Sequence, residues 1–591
     1  MRPMRHVPKH VAPTLVEAVR ALSHDTARGF VFVRSDGTER FCSFADIHAE
    51  SMRRGAHLAA RGAKKGDRVA MVIPEGDEFV LSFLGALYAG VVPVPIYPQL
   101  SFKNVDGYHD TVAHIASASG ASMLLTTTAT RPFVEPVLAR APELRTVMTV
   151  DELAAPSPGT LDVAIDPDDL AFLQFTSGST SRPKGVMVTH GNLAANSEAF
   201  MVHGLGKDSS FDKGVSWLPL FHDMGLIGFV VGPLFTNIPC VFLPTASFVR
   251  TPRVWLDTIH KHRGTITYAP NFAYALVAKR LKDKDVAELD LSCLRIAGCG
   301  AEPIQAKSLR DFAERVKPAR FDPAAFLPSY GMAEATLAVT FVPRKVGLRT
   351  DTVDPAALTA GQAKPVARAG ALSQELVDCG RSFPDHEVAI IDEQGRRLGD
   401  RRVGQIVTRG PSITSGYYEE AELTRESFHP LSPDAVDASA ADAADTWLHT
   451  GDLGYLADGN LFVCGRLKDI IIIRGRNYYP TDIEWAISEL PGIRRGNVVA
   501  FGVDVDGEEQ LVIAAEAHQS DAAGLVETIT SAVASQIGLA VHKVEIVPQG
   551  ALPRTSSGKP QRRKTKQMFL DATLPRARTV QGSEDAASGG A

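Results

Sequence analysis

Cysteine is scarce: six residues in 591, scattered, with no Cys-x-x-Cys pair and no His/Cys group at metal-ligand spacing. A disulfide framework and a structural zinc site are therefore excluded as organising devices, and reduced thiols in a cytosolic protein are expected. Long apolar runs are missing as well. The longest, around Ile227–Phe235, is broken by glycine and proline and falls far short of the roughly 20 residues a membrane span needs. Met1–Lys9 is basic, but the segment after it, Thr14–Leu22, reads as a short amphipathic helix rather than a signal core, so secretion is not expected. Neither sign of charge dominates: 62 Lys and Arg against 68 Asp and Glu leave a formal net charge of −6, which argues against a nucleic-acid binder. No internal repeats are visible.

What is present is an ordinary globular composition, 45% hydrophobic and 22% charged, in a chain too long for one core. Up to about Gly465, strand-like and helix-like segments alternate: strands at Arg68–Ile73 and Thr265–Ala269, helices at Phe79–Tyr88 and Phe272–Leu281. That is the pattern of layered α/β structure. Past Arg466 the texture becomes strand Ile470–Ile473, helix Pro480–Glu489, strands near Val498–Val503 and Leu511–Ala517, helix Leu525–Ile537 and strand Val544–Val547. This order predicts a small α+β domain of roughly a hundred residues. The expected division is 1–467, 468–575 and a disordered tail over 576–591 whose end, Gly582–Ala591, is rich in Ala, Ser and Gly. Asp434–Asp445 reads as a surface loop. Phe341–Val377 lacks clear periodicity and reads as an insertion over about 342–377, a surface linker unless it has a functional role.

One loop concentrates hydroxyls and glycines: Thr176-Ser177-Gly178-Ser179-Thr180-Ser181-Arg182-Pro183-Lys184-Gly185. Leu170–Phe175 ahead of it reads as a buried strand. Val186–His190 behind it is too short and too β-branched for a helix, so the loop joins two strands. Small residues let several backbone N–H groups converge, and the hydroxyls and one lysine add donors, a nest suited to a polyphosphate. A Walker A loop is excluded, because the Gly-Lys-Ser/Thr spacing and the following helix are missing.

Six further motifs follow in order: Trp217-Leu-Pro-Leu-Phe-His-Asp-Met-Gly225, Gly298-Cys-Gly-Ala-Glu-Pro303, Ser329-Tyr-Gly-Met-Ala-Glu334, Thr450-Gly-Asp-Leu-Gly454, Gly465-Arg-Leu-Lys-Asp469 and Leu552-Pro-Arg-Thr-Ser-Ser-Gly-Lys559. With the loop, the series resembles the adenylate-forming (AMP-forming, ANL) superfamily over nearly the whole chain. It is most similar to the fatty acyl-AMP ligases, through the Phe341–Val377 segment, Tyr330-Gly-Met-Ala-Glu-Ala-Thr336 and Gly475-Arg-Asn-Tyr-Tyr-Pro-Thr-Asp-Ile-Glu484. The resemblance implies a large N-terminal domain of layered α/β sheets and a small mobile α+β C-terminal domain. It also implies attack of a fatty carboxylate on the α-phosphorus of ATP, with Mg²⁺ as the metal.

By that resemblance Lys559, Glu334 and His222 act in catalysis, Lys559 bridging carboxylate and α-phosphate. Thr176, Ser177, Gly178, Ser179, Thr180 and Lys184 hold phosphates, and Thr176 and Glu334 hold the metal. Gly300-Ala301-Glu302 and Ser329-Tyr330-Gly331-Met332 line the adenine, while Asp452 and Arg466 read the ribose or phosphate. His222, Asp223, Met224, Gly225, Asn271 and Phe272 line the acyl pocket. His222 occupies the position where amino-acid-activating relatives carry an aspartate, so an amino acid substrate is a poor fit. Ala333 replaces a threonine common in relatives, which leaves one phosphate contact missing or supplied by Thr336.

Lys468 is the implied hinge between two half-reactions. Fatty acyl-AMP ligases pass the acyl group to the phosphopantetheine of an acyl carrier protein or a carrier domain of a polyketide or nonribosomal peptide synthase. The insertion biases domain rotation only if it binds one arrangement better than the other; Val346, Leu348 and Val353 are its candidate docking positions. No carrier domain with its attachment serine is visible, so the acceptor is expected on another polypeptide. A fatty acyl-CoA ligase shares every one of these residues and remains an alternative. A non-catalytic acyl-adenylate or nucleotide-binding protein is expected to lack Lys559, Glu334 or Asp452, and all three are present.

Overall fold

The computed structural model describes residues 8–98, 105–154, 159, 161–176, 182–366, 373–431, 446–473, 476–505, 508–517, 522–555 and 559–575. The chain folds into two compact units. The first runs from the N-terminus to Asp351 and takes in Glu375–Thr450 and Gly454–Val463; the second holds Thr352–Gln374, Gly451–Leu453 and the chain from Cys464 on.

The first unit is built on a nine-stranded sheet. Its order is Arg381–Ser382, Ala338–Phe341, Phe326–Gly331, Ile296–Cys299, Ile266–Ala269, Gly214–Ser216, Cys240–Phe242, Gly29–Val33 and Glu39–Ser43. The strands from Phe326–Gly331 to Gly29–Val33 run parallel. They read as near-continuous apolar runs because helices cover both faces of such a sheet. Ile266–Ala269 and Ile296–Cys299 are buried at every position. A parallel four-stranded sheet, in the order Val92–Pro95, Arg68–Val72, Met123–Thr126 and Thr146–Thr149, forms a second layer. Its strands join Leu173 in a separate apolar core. The layered α/β expectation is met.

Local signals explain the helices. Thr14 accepts from the Glu17 N–H and caps Leu15–Ala21, whose Leu15, Val16, Ala18 and Val19 are buried, in keeping with the predicted amphipathic helix. Ser43 and Asp46 form a reciprocal capping box on Phe44–Ala60, which satisfies N–H groups that a helix start leaves without partners.

In the second unit a hairpin, Ile471–Ile473 with Arg476–Tyr478, precedes helix Pro480–Ser488. The sheet Ile493–Val505, Glu508–Ala517 and Val541–Val547 follows, with helices Ala522–Gln536 and Arg562–Leu570. Its strands alternate between two buried faces: Val498, Ala500 and Ile513 meet Ile483, Ile487, Ile529 and Val533. Val499, Phe501 and Val512 meet Leu552 and Leu574 on the other side. Each fully buried side chain of this size stabilises by about 1.5–3 kcal/mol, which is why a sheet with two apolar faces needs helices on both.

The irregular segment is not the surface linker that its lack of periodicity suggests. Thr350–Val353 is a strand, Asp354 caps helix Pro355–Thr359, and Gln374–Val377 is a strand. Val353 and Ala363 are 0% exposed and Leu358 1%. Its elements are too short for a period to register. Of its three candidate docking positions, Val353 is buried and Val346 is exposed, and Leu348 packs against the large core of the first unit. The loop expected over Asp434–Asp445 and the tail over 576–591 lie outside the described residues.

Candidate active site

Several predicted site residues of the first unit sit at or just past the carboxyl ends of parallel strands. Gly214–Ser216 leads to His222, Ile266–Ala269 to Asn271, Ile296–Cys299 to Gly300, and Phe326–Gly331 to Glu334. Open α/β sheets bind ligands at this edge. Cys299 pairs with Pro328, so Gly300-Ala301-Glu302 and Ser329-Tyr330-Gly331 emerge side by side. A Cβ on Gly300 would lie 2.9 Å from Ser329 Oγ, which keeps the position narrow. Ala301 holds a left-handed φ of 68°. Glu302 accepts the Phe272 N–H at 2.6 Å. The Tyr330 ring packs with Val339, Ile390 and Ile406, and Met332 borders the same apolar group.

Leu170–Thr176 and Lys184–Thr189 are the two expected strands, and they pair antiparallel up to the Thr176–Lys184 pair. Ser177, Gly178, Ser179 and Thr180 lie outside the described residues. Thr176 Oγ1 is buried with no hydrogen-bond partner among the described residues. Such a hydroxyl carries a desolvation cost until something binds it.

Tyr417 was not legible as a site residue. Its backbone bridges Val186, and Tyr418 donates to the Gly185 carbonyl at 2.8 Å, so this segment adds an edge to the hairpin. The Lys184 ammonium sits 5.7 Å from the Tyr417 ring centroid, within cation–π range. The Tyr417 hydroxyl donates to Glu334 Oε1 at 2.8 Å. The only sequence signal was a glycine before two tyrosines, Gly416-Tyr417-Tyr418, which contacts across many residues turned into a site feature.

Thr336, the candidate for the phosphate contact that Ala333 cannot make, is engaged elsewhere in the structure. It is fully buried, and its hydroxyl donates to the Ser412 carbonyl at 2.6 Å. His222 precedes the short helix Asp223–Leu226, with Nδ1 2.5 Å from Asp223 Oδ1, and Asp223 accepts the Met224 N–H. A Cβ on Gly225 would meet the Pro219 carbonyl at 2.1 Å, so only glycine lets this turn close. Phe272 is partly exposed, edge-on to Trp217, while Asn271 accepts the Gln305 N–H.

The second unit carries the remaining predicted residues. Asp452 is buried, and its Oδ1 accepts from Arg466 Nε at 2.9 Å. Lys468 is exposed on the turn Leu467–Asp469. Asp469 is ion-paired with Arg562, which also grips Glu484 through three hydrogen bonds. Lys559 is held to Thr555 by two hydrogen bonds: its carbonyl accepts the Thr555 N–H at 2.8 Å, and its N–H donates to Thr555 Oγ1 at 3.0 Å. Gln374 donates to Asp482 Oδ2 at 2.8 Å, tying the inserted segment to the motif ending at Glu484. Among the described residues no three His, Cys, Asp or Glu side chains cluster for a metal, and no helix is long and apolar enough to cross a membrane.

Comparison with known proteins agrees along the length. An AMP-binding enzyme family model matches residues 20–418, and one described as the AMP domain of Disco-interacting protein 2-like proteins matches 468–579. A putative acyl-CoA synthetase of Caulobacter vibrioides is 36% identical over 95% of this chain and 96% of its own. The medium-chain-fatty-acid–[acyl-carrier-protein] ligase JamA of Moorena producens is 33% identical over 95% of this chain and 96% of its own. A structure from work on fatty acyl-adenylate ligases of E. coli and L. pneumophila superposes with a TM-score of 0.87 at 35% identity, covering 96% of this chain and 99% of the other. The chain therefore belongs to the AMP-binding enzyme family, as an AMP-forming ligase of the adenylate-forming superfamily.

Proposed function

We propose that this protein activates a medium- or long-chain fatty acid with ATP and passes the acyl group to the phosphopantetheine thiol of an acyl carrier protein or carrier domain. In the first step a carboxylate oxygen bonds to the α-phosphorus, the bridging α–β P–O bond breaks, and pyrophosphate leaves. In the second the thiol sulfur bonds to the acyl carbon, the C–O bond to AMP breaks, and the thiol proton is lost to base or solvent. The observation that carries the reading is the Thr176–Lys184 hairpin, with Glu334 tied to it through Tyr417. It offers a buried hydroxyl that has no partner among the described residues, a cation and a carboxylate on one framework.

Both reactants of the first step are anions, so donors and cations must meet the charge that gathers on the phosphates. Lys184 and the strands around it supply them in the first unit, and Lys559, bonded through its backbone to Thr555, is the proposed further cation. Asp452 and Arg466 suit the nucleoside, as a carboxylate for ribose hydroxyls beside a guanidinium. Gly300–Glu302 and Ser329–Met332 flank the adenine. His222, Asp223, Met224, Gly225, Asn271 and Phe272 border the acyl chain, and Lys468 is the pivot between half-reactions.

Magnesium fits the donor set. Glu334 and the buried Thr176 hydroxyl would be its hard oxygen ligands, and a cation that keeps phosphate oxygens and waters needs few from protein. When bound it neutralises phosphate charge. The proposed domain limits remain 1–467 and 468–575, with the 342–377 insertion biasing the acceptor step.

Likeness to JamA favours a carrier acceptor, whereas likeness to the Caulobacter protein favours a fatty acyl-CoA ligase. Mass spectrometry of products formed from ATP, Mg²⁺ and mixed fatty acids, with coenzyme A, a pantetheinylated carrier or neither, separates them. Acyl-AMP without coenzyme A, acyl-carrier with carrier, and little acyl-CoA support the proposal. Abundant acyl-CoA establishes the second reading.

A further inference from the structure

We infer that Tyr417 is a positioning residue of the ATP site, one side chain that orients both the Glu334 carboxylate and the Lys184 ammonium. This rests on the reading above, in which Glu334 and the Thr176–Lys184 hairpin hold metal and phosphates.

The geometry is reciprocal. The Tyr417 hydroxyl donates to Glu334 Oε1 at 2.8 Å, and the face of the same ring meets Lys184 Nζ, 5.7 Å from the centroid. A glutamate on a short turn has several rotamers. A hydrogen bond to one oxygen selects among them and aims the other, and bonds to charged groups are the stronger kind. A lysine has even more freedom, and a ring face restricts where its charge settles.

Tyr417 is itself held from three sides. Its backbone bridges Val186 of the hairpin, its N–H donates to Thr424 Oγ1 at 3.0 Å, and its ring stands edge-on to Phe428 at 5.9 Å. Gly416 makes this approach possible: it takes a φ of 126°, and a Cβ there would lie 2.3 Å from Thr424 Cγ2. The same stretch holds the Glu334 backbone, because the Thr414 N–H and hydroxyl both donate to the Glu334 carbonyl at 3.0 Å. Thr414–Tyr418 thus grips Glu334 by main chain and side chain while it lies along the phosphate hairpin. A tyrosine there for core packing alone would not need its hydroxyl on the carboxylate.

The test is Mn²⁺ binding to the full chain, followed by electron paramagnetic resonance with α,β-methylene-ATP present. It compares the wild type, Tyr417→Phe, Glu334→Gln and the double variant. Phenylalanine keeps the ring beneath Lys184 and removes only the hydroxyl. We expect Tyr417→Phe to weaken Mn²⁺ binding on the order of ten-fold and to add nothing in the Glu334→Gln background. In adenylate formation, its defect should shrink as Mg²⁺ is raised. Tyr417→Leu, which also removes the ring, should weaken binding of the ATP analogue beyond the Phe variant. Wild-type Mn²⁺ affinity in Tyr417→Phe, with Glu334→Gln impaired, overturns the positioning role and leaves the site reading intact. Wild-type affinity in Glu334→Gln overturns the site reading and this inference together.

Discussion

Arg466 Nε lies 2.9 Å from Asp452 Oδ1, joining two residues fourteen positions apart in one pair. Asp452 is buried and the Arg466 side chain is 57% exposed. An exposed arginine adds little to stability through such a pair, typically below about 1 kcal/mol. Arg466→Ala should therefore leave the unfolding temperature nearly unchanged while raising the KM for ATP. Asp452→Ala should raise that KM by roughly ten-fold or more, through loss of charge-assisted hydrogen bonds. Steady-state kinetics beside thermal denaturation checks both; a destabilised Arg466→Ala with normal ATP KM would make the pair structural.

Lys559 has a sharper expectation. Its backbone is bonded to Thr555, and alanine keeps that backbone, so Lys559→Ala should fold normally and retain ATP binding. Adenylate formation should fall on the order of 10²–10³-fold, the scale for removing one group that meets developing charge. Pyrophosphate release and calorimetric ATP binding measured on the same sample decide it, and an undiminished release rate removes the assigned role.

Thr336 tests a contact that the structure assigns to packing. Its hydroxyl is fully buried on the Ser412 carbonyl. Thr336→Val should cost about 1–3 kcal/mol, since the carbonyl loses its donor while shape is kept. The KM values for ATP and Mg²⁺ should stay put. A selective rise in either, without loss of stability, would return Thr336 to the phosphate site.

Burial pushes the Asp482 carboxyl up to about 7, with Glu484 adding to the effect and the Gln374 amide opposing it. The folded chain thus keeps this proton well above the ordinary 3.8 at which the unfolded chain releases it. Its contribution to stability is full below about 3.8 and is lost as pH rises towards about 7. Asp482→Asn should remove that slope and be relatively more stable at pH 8 than the wild type. Urea denaturation at pH 5, 6, 7 and 8 reads the difference, and parallel slopes for the two proteins would show that Asp482 does not titrate in this range.

Much of this protein was determined by sequence alone, because short-range rules suffice for it. Buried parallel strands such as Ile266–Ala269 announce themselves as apolar runs. A loop of Ser, Thr and Gly between two strands announces itself by composition, and motifs such as Gly300–Glu302 follow strands because ligands gather where strands end. The described elements between Thr350 and Val377 stayed hidden because they are a five-residue helix and two four-residue strands, too brief to show a period. Only tertiary structure decided which hydroxyl faces what. Thr336 and Thr176 are alike on paper, yet one is held by the Ser412 carbonyl and the other is buried with no partner among the described residues. Only folding, too, set Tyr417 against Glu334 across more than eighty residues. Hydrogen-bond pairing depends on ångström distances between segments remote in sequence, and no local pattern encodes those.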